Sequence, residues 1–302
     1  MSFSVAECNI EGESGYQGGV VGVRGSNLLS RTIQRSIVLR SLLGFTPLFL
    51  LALGASQSLS YAQSSPRPLK YEEPTVLTAT IYAKDAGPRK VLYRLKRTAT
   101  RSGRKVSVVR EFTYPDGKPA ARERAVYEGD EMVSYALEEL QIGAAGSATI
   151  QREAGNPAKS VLLFEYTKDL GAGGKAKTST EVLRNDTLTS DMVAPFLATH
   201  WAELARAEKV RCRYIVVPQR ETVGFTFVKD TETSYQGRKA LVLRMEATSP
   251  IIARLVDPIY FTVESAAPHR VFQVVGRSTP KVKVGSAWED LDALTLFDWP
   301  AH

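Results

Sequence analysis

The sequence predicts a mainly β fold: one long, curled antiparallel sheet, a half-open barrel, with one helix packed across its concave side. Three observations lead there. Short runs rich in β-branched and aromatic residues recur from Thr75 onward, separated by turn signals at roughly 8 to 15 residues. Within the later runs apolar and polar residues alternate, as they do on a sheet with one buried face. A single stretch, near 190–207, carries a helical period instead.

Taken in order, the predicted strands are 75–83, 90–98, 105–114, 122–128, 132–140, 148–152, 160–167 and 177–183, then a second series at 211–217, 222–229, 239–247, 259–264 and 270–276. The turns between them have recognisable chemistry. Ser102-Gly103, Asp116-Gly117, Gly129-Asp130 and Gln236-Gly237 each offer a residue that tolerates positive φ where a hairpin must reverse. Sequential strands should therefore pair as hairpins in a meander rather than as parallel crossovers.

The predicted helix starts at Ser190 or Asp191, either of which could cap it. Val193, Phe196, Leu197, His200, Trp201 and Leu204 follow at three- and four-residue intervals and so share a face. Pro195 lies in or just after the first turn, where a missing backbone donor costs little. The sheet face that this helix should cover is named by alternation: Val223, Phe225 and Phe227; Leu241, Leu243 and Met245; Ile259, Phe261 and Val263. Thr226, Arg244, Glu246, Thr262 and Glu264 fall on the opposite, wet face. A long sheet with one apolar face tends to curl.

Residues 1–62 read as an export segment. An almost uncharged apolar run, Leu42 to Ala55, follows Arg31, Arg35 and Arg40, and Ser60-Tyr61-Ala62 puts small residues three and one positions before Gln63. That is the pattern of a cleaved signal peptide, here with an over-long extension before it. The run is shorter than the roughly 20 residues a membrane span needs. A Pro-containing leader, 63–74, and a single domain, 75–302, would remain. Four arginines and three glutamates precede Gln63, so the processed chain would carry a modest net charge of +6. Cys8 precedes the cut and Cys212 would stand alone, which excludes an intramolecular disulfide and fits a bacterial periplasm better than a eukaryotic extracellular space.

The succession NDTLTSDMVAPFLATHWAEL, VRCRYIVVPQRETVGFTF, GRKALVLRMEATSPIIARLVDPIYFTV and HRVFQVVGRS resembles an uncharacterised family of exported bacterial periplasmic proteins. The resemblance covers roughly residues 75–276 and rests mostly on the rhythm of strands about one helix. It implies a fold-level likeness to the half-barrels of periplasmic lipoprotein carriers, whose concave faces shield acyl chains. It assigns no functional residue to this chain.

Motifs of catalysis are missing from the sequence. His200 and His269 have no ligand or triad partner at a useful spacing, and His200 beside Trp201 reads as packing. Gly171 to Lys175 fails the phosphate-loop pattern at Asp169 and at Ala176, leaving a hairpin loop. Glu138 and Glu139, adjacent on a strand, should face opposite sides. Cys212, between two arginines, reads as a buried strand residue. No catalytic residue, metal site or cofactor is expected.

The strongest charge feature is Arg89 to Arg110, nine basic residues with no acid among them. Val91, Tyr93 and Leu95 share one face and Arg94 and Lys96 the other, so the charge should face solvent. Arg89, Arg94, Lys96, Arg101 and Lys105 could then dock on an anionic envelope surface, or simply keep an edge from pairing. Export and the lack of a binding motif argue against nucleic acid. Two expectations of function follow for a monomer. In one, the half-barrel binds an acyl chain or other apolar ligand through Phe196, Trp201, Phe225, Phe227, Leu243 and Phe261, which requires a cavity. In the other, the same face is packed solid and the protein is an interaction module of the envelope, meeting a partner through the basic hairpin or the Trp288 to Trp299 tail. An enzyme of unfamiliar type ranks behind both.

Overall fold

A computed structural model describes residues 74–84, 90–129, 131–153 and 156–299, so the expected export segment and Arg89 lie outside the described residues. Ala62–His302 forms one compact unit of its own. Its fifteen strands are β1 (Val76–Ala83), β2 (Val91–Ser102), β3 (Lys105–Thr113), β4 (Pro119–Glu128), β5 (Glu131–Glu139), β6 (Ala144–Glu153), β7 (Asn156–Thr167), β8 (Lys177–Val182), β9 (Thr187–Leu188), β10 (Val210–Val216), β11 (Glu221–Tyr235), β12 (Arg238–Ala247), β13 (Ile259–Glu264), β14 (Val271–Val284) and β15 (Ala287–Asp298).

All fifteen belong to one sheet, in the order β8-β7-β6-β5-β4-β3-β2-β1-β15-β14-β13-β12-β11-β10-β9. Two meanders are thus joined where β1 lies antiparallel to β15, with Thr78 opposite Asp298 and Ala83 opposite Ala293. The turns reverse as their residues predict: Gly103, Gly117, Gly129 and Gly237 all have positive φ. Two strands escape the sequence pattern. One is the two-residue β9, parallel to β10. The other is β15, which makes the Trp288 to Trp299 tail a central strand rather than a free segment awaiting a partner.

The sheet curls until its ends approach, but it does not close by a backbone ladder. The edge strand β8 meets the start of β11 through side chains: the Glu181 carboxylate accepts from the Thr222 amide at 3.1 and 3.2 Å and from its hydroxyl at 2.6 Å. Beside it, the Ser179 hydroxyl donates to the Arg220 carbonyl. A short 3₁₀ turn, Val217–Gln219, packs against β6 and β7. Gly146 makes that contact possible, because a Cβ there would fall 2.3 Å from the Glu165 carbonyl oxygen and 2.7 Å from Val217 Cγ1.

Connections in an antiparallel meander alternate between the two ends of the barrel. One rim carries the β1–β2, β3–β4, β5–β6, β7–β8, β10–β11, β12–β13 and β14–β15 connections. The opposite rim carries the remaining hairpins and the helical strap between β9 and β10. The strap is not one helix. It runs as a 3₁₀ turn, Ser190–Met192, then α1 (Val193–Thr199) and α2 (Trp201–Ala205), with a break at His200, whose φ is −99°. Val193, Phe196, Leu197 and Leu204 are buried, as their spacing predicts. Each fully buried side chain of this size is worth about 1.5–3 kcal/mol, so the strap is held chiefly by its apolar face.

Buried residues alternate along β1, β2, β3, β7 and β15, whereas Thr226, Thr262 and Glu264 of the expected wet face are buried too, and the apolar ones form two cores. The larger lies under the strap, between β2–β7 and β10–β14; the smaller gathers Ile81, Tyr93, Leu95, Phe112, Leu291 and their neighbours near the junction of β1 and β15. A register shift in β14 between Ser278 and Lys281 creates a bulge facing the β5–β6 turn. The Gln141 side chain there substitutes for a strand partner, accepting from the Lys281 amide at 2.7 Å and donating to its carbonyl at 2.9 Å.

Candidate functional site

The most elaborate chemistry in the molecule is the set of charges beneath the strap. The sheet supplies it by strict alternation. On β2, Tyr93, Leu95, Arg97 and Ala99 face inward; on β3, Val106, Val108, Arg110 and Phe112; on β4, Ala121, Glu123, Ala125 and Tyr127. Two residues of the basic run, Arg97 and Arg110, therefore point into the barrel. The expectation that the run's charge lies outside is corrected for these two, and it holds for Arg94, Lys96, Arg101 and Lys105, which are exposed.

Arg97 clasps Asp191 of the strap, Nε to Oδ1 at 2.5 Å and Nη2 to Oδ2 at 3.2 Å, and its Nη1 donates to the Pro74 carbonyl at 2.6 Å. Asp191 is thus an internal counterion rather than a helix cap. The Tyr127 hydroxyl donates to the same carboxylate at 3.4 Å and lies 3.2 Å from the Thr189 hydroxyl. Next to this pair, Arg110 donates to Glu123 Oε2 at 2.6 Å, and Glu123 also accepts from the hydroxyls of Ser190 and Thr279. Glu123 thereby ties β3, β4, the strap and the β14 bulge together in the interior.

This environment is dry and strongly polarised. Burial is the largest single influence on Arg110 and works against its charge, but Glu123, Tyr214, Asp191 and Tyr135 together outweigh it and raise the guanidinium pKa above its ordinary value. Burial first, then the Glu123 charge, pushes the Tyr135 and Tyr214 phenols upward, so both stay neutral hydrogen-bonding groups. The gap bounded by Arg110, Glu123, Tyr135 and Asp191 has no room for a water molecule. Fixed, mutually satisfied charges of this kind suit the anchoring of one element on another. A second buried set, in which Tyr166 donates to Glu139 at 2.6 Å and Lys281 pairs with Glu139 at 3.3 Å, has the same character. Glu138 meanwhile faces outward to Arg122 and Arg124.

The six residues expected to line an apolar site are brought near one another, but as packing partners. Phe227 is the centre, its ring 5.9 Å from Phe196 and 5.6 Å from Phe261, with Leu243 fully buried in the same core. Trp201 sits at the half-buried end of the strap, stacked on His269 at 4.1 Å, and Phe225 meets Tyr214 edge-on at 6.3 Å. The space an acyl chain would occupy between strap and sheet is filled there by Phe196 and Leu197. His200 packs on Phe196 at 4.5 Å, and burial pushes the Cys212 thiol up to about 12. Among the described residues, no three His, Cys, Asp or Glu side chains converge in a way that could hold a metal ion.

Outside, a shallow groove of about 360 Å³ runs between Thr78 and Thr80 of β1 and Arg94, Lys96, Glu111, Thr113 and Asp298. Arg94 and Lys96 form no ion pair among the described residues. Sequence reading missed Asp191 and Glu123 as interior anchors, although the parity of β2 and β4 carries the signal for Arg97 and Glu123.

Comparison with known proteins adds little chemistry. No protein-family model matches the sequence, and no curated protein does. Among solved structures, the chain is similar to the β-barrel-like protein of domain of unknown function DUF1849 from Brucella abortus. The likeness has a TM-score of 0.35 at 11% identity, over 74% of this chain and 98% of that one. It is a likeness of strand-rich build and gives no residue here a role.

Proposed function

We propose that the protein is exported to the bacterial periplasm and works there as a non-catalytic interaction module, acting through its outer surface around a solid interior. The observation that carries this reading is the strap: its apolar face fills the sheet's concave side, and Ser190 and Asp191 are bound from inside by Glu123 and Arg97. A carrier with a standing acyl-chain site would need that volume empty. The export part rests on the apolar run Leu42 to Ala55 and the small residues before Gln63.

Native mass spectrometry on protein taken from a periplasmic extract without detergent tests both parts. The expected result is a bare chain that begins near Gln63. A reproducible excess mass that extracts as a lipid would overturn the surface-acting reading and favour a carrier whose strap moves aside. A mass that includes residues 42–55 would overturn cleavage.

A further inference from the structure

Large apolar side chains left in solvent are concentrated at one end of this barrel. Leu140 is 44% exposed and Leu170 54%, on the β5–β6 and β7–β8 connections; Ile251 is 74% and Leu255 77%, on the β12–β13 connection. Val284, at the β14–β15 hairpin, is exposed beside them. All four connections belong to the rim opposite the strap, and two are in contact, since the Leu170 amide donates to the Gly143 carbonyl at 2.8 Å. The other exposed valines, Val76 and Val182, end β1 and β8 on the strap side just as Val284 ends β14 on the opposite side, so the excess at this rim rests on Leu140, Leu170, Ile251 and Leu255. The described residues of the strap rim's connections expose no large apolar side chain.

The β12–β13 connection is built to hold its pair outward. The short helix α3 (Pro250–Ala253) is capped by Ser249, and the Val256 amide continues the turn by donating to the Ile252 carbonyl at 3.0 Å. Ile251 and Leu255, four residues apart, therefore project on one side, with exposed Arg254 beside them. The same rim's connections expose Lys84, Lys90, Lys118, Lys168 and Lys175. Among the described residues, three exposed acids, Asp116, Asp169 and Asp257, stand against these six cations, two of them already facing Lys118 at 3.0 Å and Lys84 at 3.9 Å.

Resting on the surface-acting reading above, we infer that this rim docks on an anionic phospholipid bilayer, with Ile251 and Leu255 entering the interface and the surrounding lysines and Arg254 meeting headgroups. Apolar tips on separate loops, set among long cations, suit a fluid surface that fits every loop at once. Arg254 can keep its charge among headgroups while its stem lies with the apolar pair. Excess positive charge selects anionic lipid. Docking at this end leaves the basic β2–β3 turn, at the strap rim, facing away.

The test is flotation of the chain from Gln63 onward with vesicles of phosphatidylglycerol and phosphatidylethanolamine. That unit contains both cores and all fifteen strands, and it omits the Leu42 to Ala55 run, which would bind lipid by itself. Wild type should float. The Ile251→Ser/Leu255→Ser pair should lower partitioning by roughly tenfold or more, because two apolar side chains no longer leave water on docking. Its unfolding midpoint should be unchanged, since both side chains are exposed. Ile251→Leu/Leu255→Ile should partition as wild type does, and so should Arg101→Ser/Arg104→Ser/Lys105→Ser at the far rim. Failure of wild type to float, an equal loss in the far-rim variant, or capture of a protein through Ile251 and Leu255 without vesicle binding would each overturn the docking rim. A lipid-laden mass would sink the surface-acting reading whatever the flotation result, whereas a bare mass without flotation would sink the rim alone.

Discussion

Arg97 and Asp191 set the terms on which the strap stays closed. Both are buried, and removing one partner leaves the other charged without compensation in a dry interior. Asp191→Ala should therefore cost about 3–5 kcal/mol in urea unfolding, while the paired apolar replacement Arg97→Met/Asp191→Leu should recover most of that loss. Alkaline pH probes the same dryness. Burial raises Tyr93 to about 12, opposed by the Gln141 hydrogen bond, and raises Cys212 to about 12. Above the ordinary pKa of each group the unfolded chain gives up protons that the folded one retains, so their contribution is complete below about pH 9 and is lost as pH rises toward 12. Stability should fall over that window, and the 295 nm tyrosinate signal of the buried tyrosines should appear with unfolding. The inward turn of Arg97 was legible, since it shares parity with Tyr93 and Leu95. Its partner was not, because Asp191 lies 94 residues away on a segment of different period.

At the level of elements, thirteen of the fifteen strands follow from local pattern and two do not. β15 has Leu291, Ala293 and Thr295 inward, but Leu294 and Leu296 outward blur the period, and the acids at 289, 290 and 292 suggest a solvated tail. β9 is two residues long, too short for any periodicity. The single predicted helix becomes two, since the chain departs from helical geometry at His200 while keeping Phe196 and Leu204 on the core. Gly146 is the close approach between elements most open to test. A methyl group there would collide with the Glu165 carbonyl and Val217, so Gly146→Ala should destabilise by about 1–3 kcal/mol through displacement of the 3₁₀ turn. Equilibrium denaturation checks it, with Gly237→Ala at an open hairpin tip separating crowding from positive-φ strain.

For the whole molecule, one sheet joins residues more than two hundred positions apart, and no local pattern encodes that register. Curling was legible from the apolar faces of β11, β12 and β13; the β1–β15 junction that makes the sheet continuous was not. Because β15 pairs with both β1 and β14, deleting residues 287–298 should abolish cooperative unfolding rather than trim an end. Hydrogen exchange of the strap amides, His200 to the Phe196 carbonyl and Leu204 to the His200 carbonyl, most directly tests whether the interior is solid. A solid interior predicts that these amides exchange only by global unfolding, at the rate of the β3 and β4 core, with or without added acyl chains. Exchange through a separate, lower-energy opening, slowed by an acyl ligand, would contradict it and make the strap the lid of a carrier.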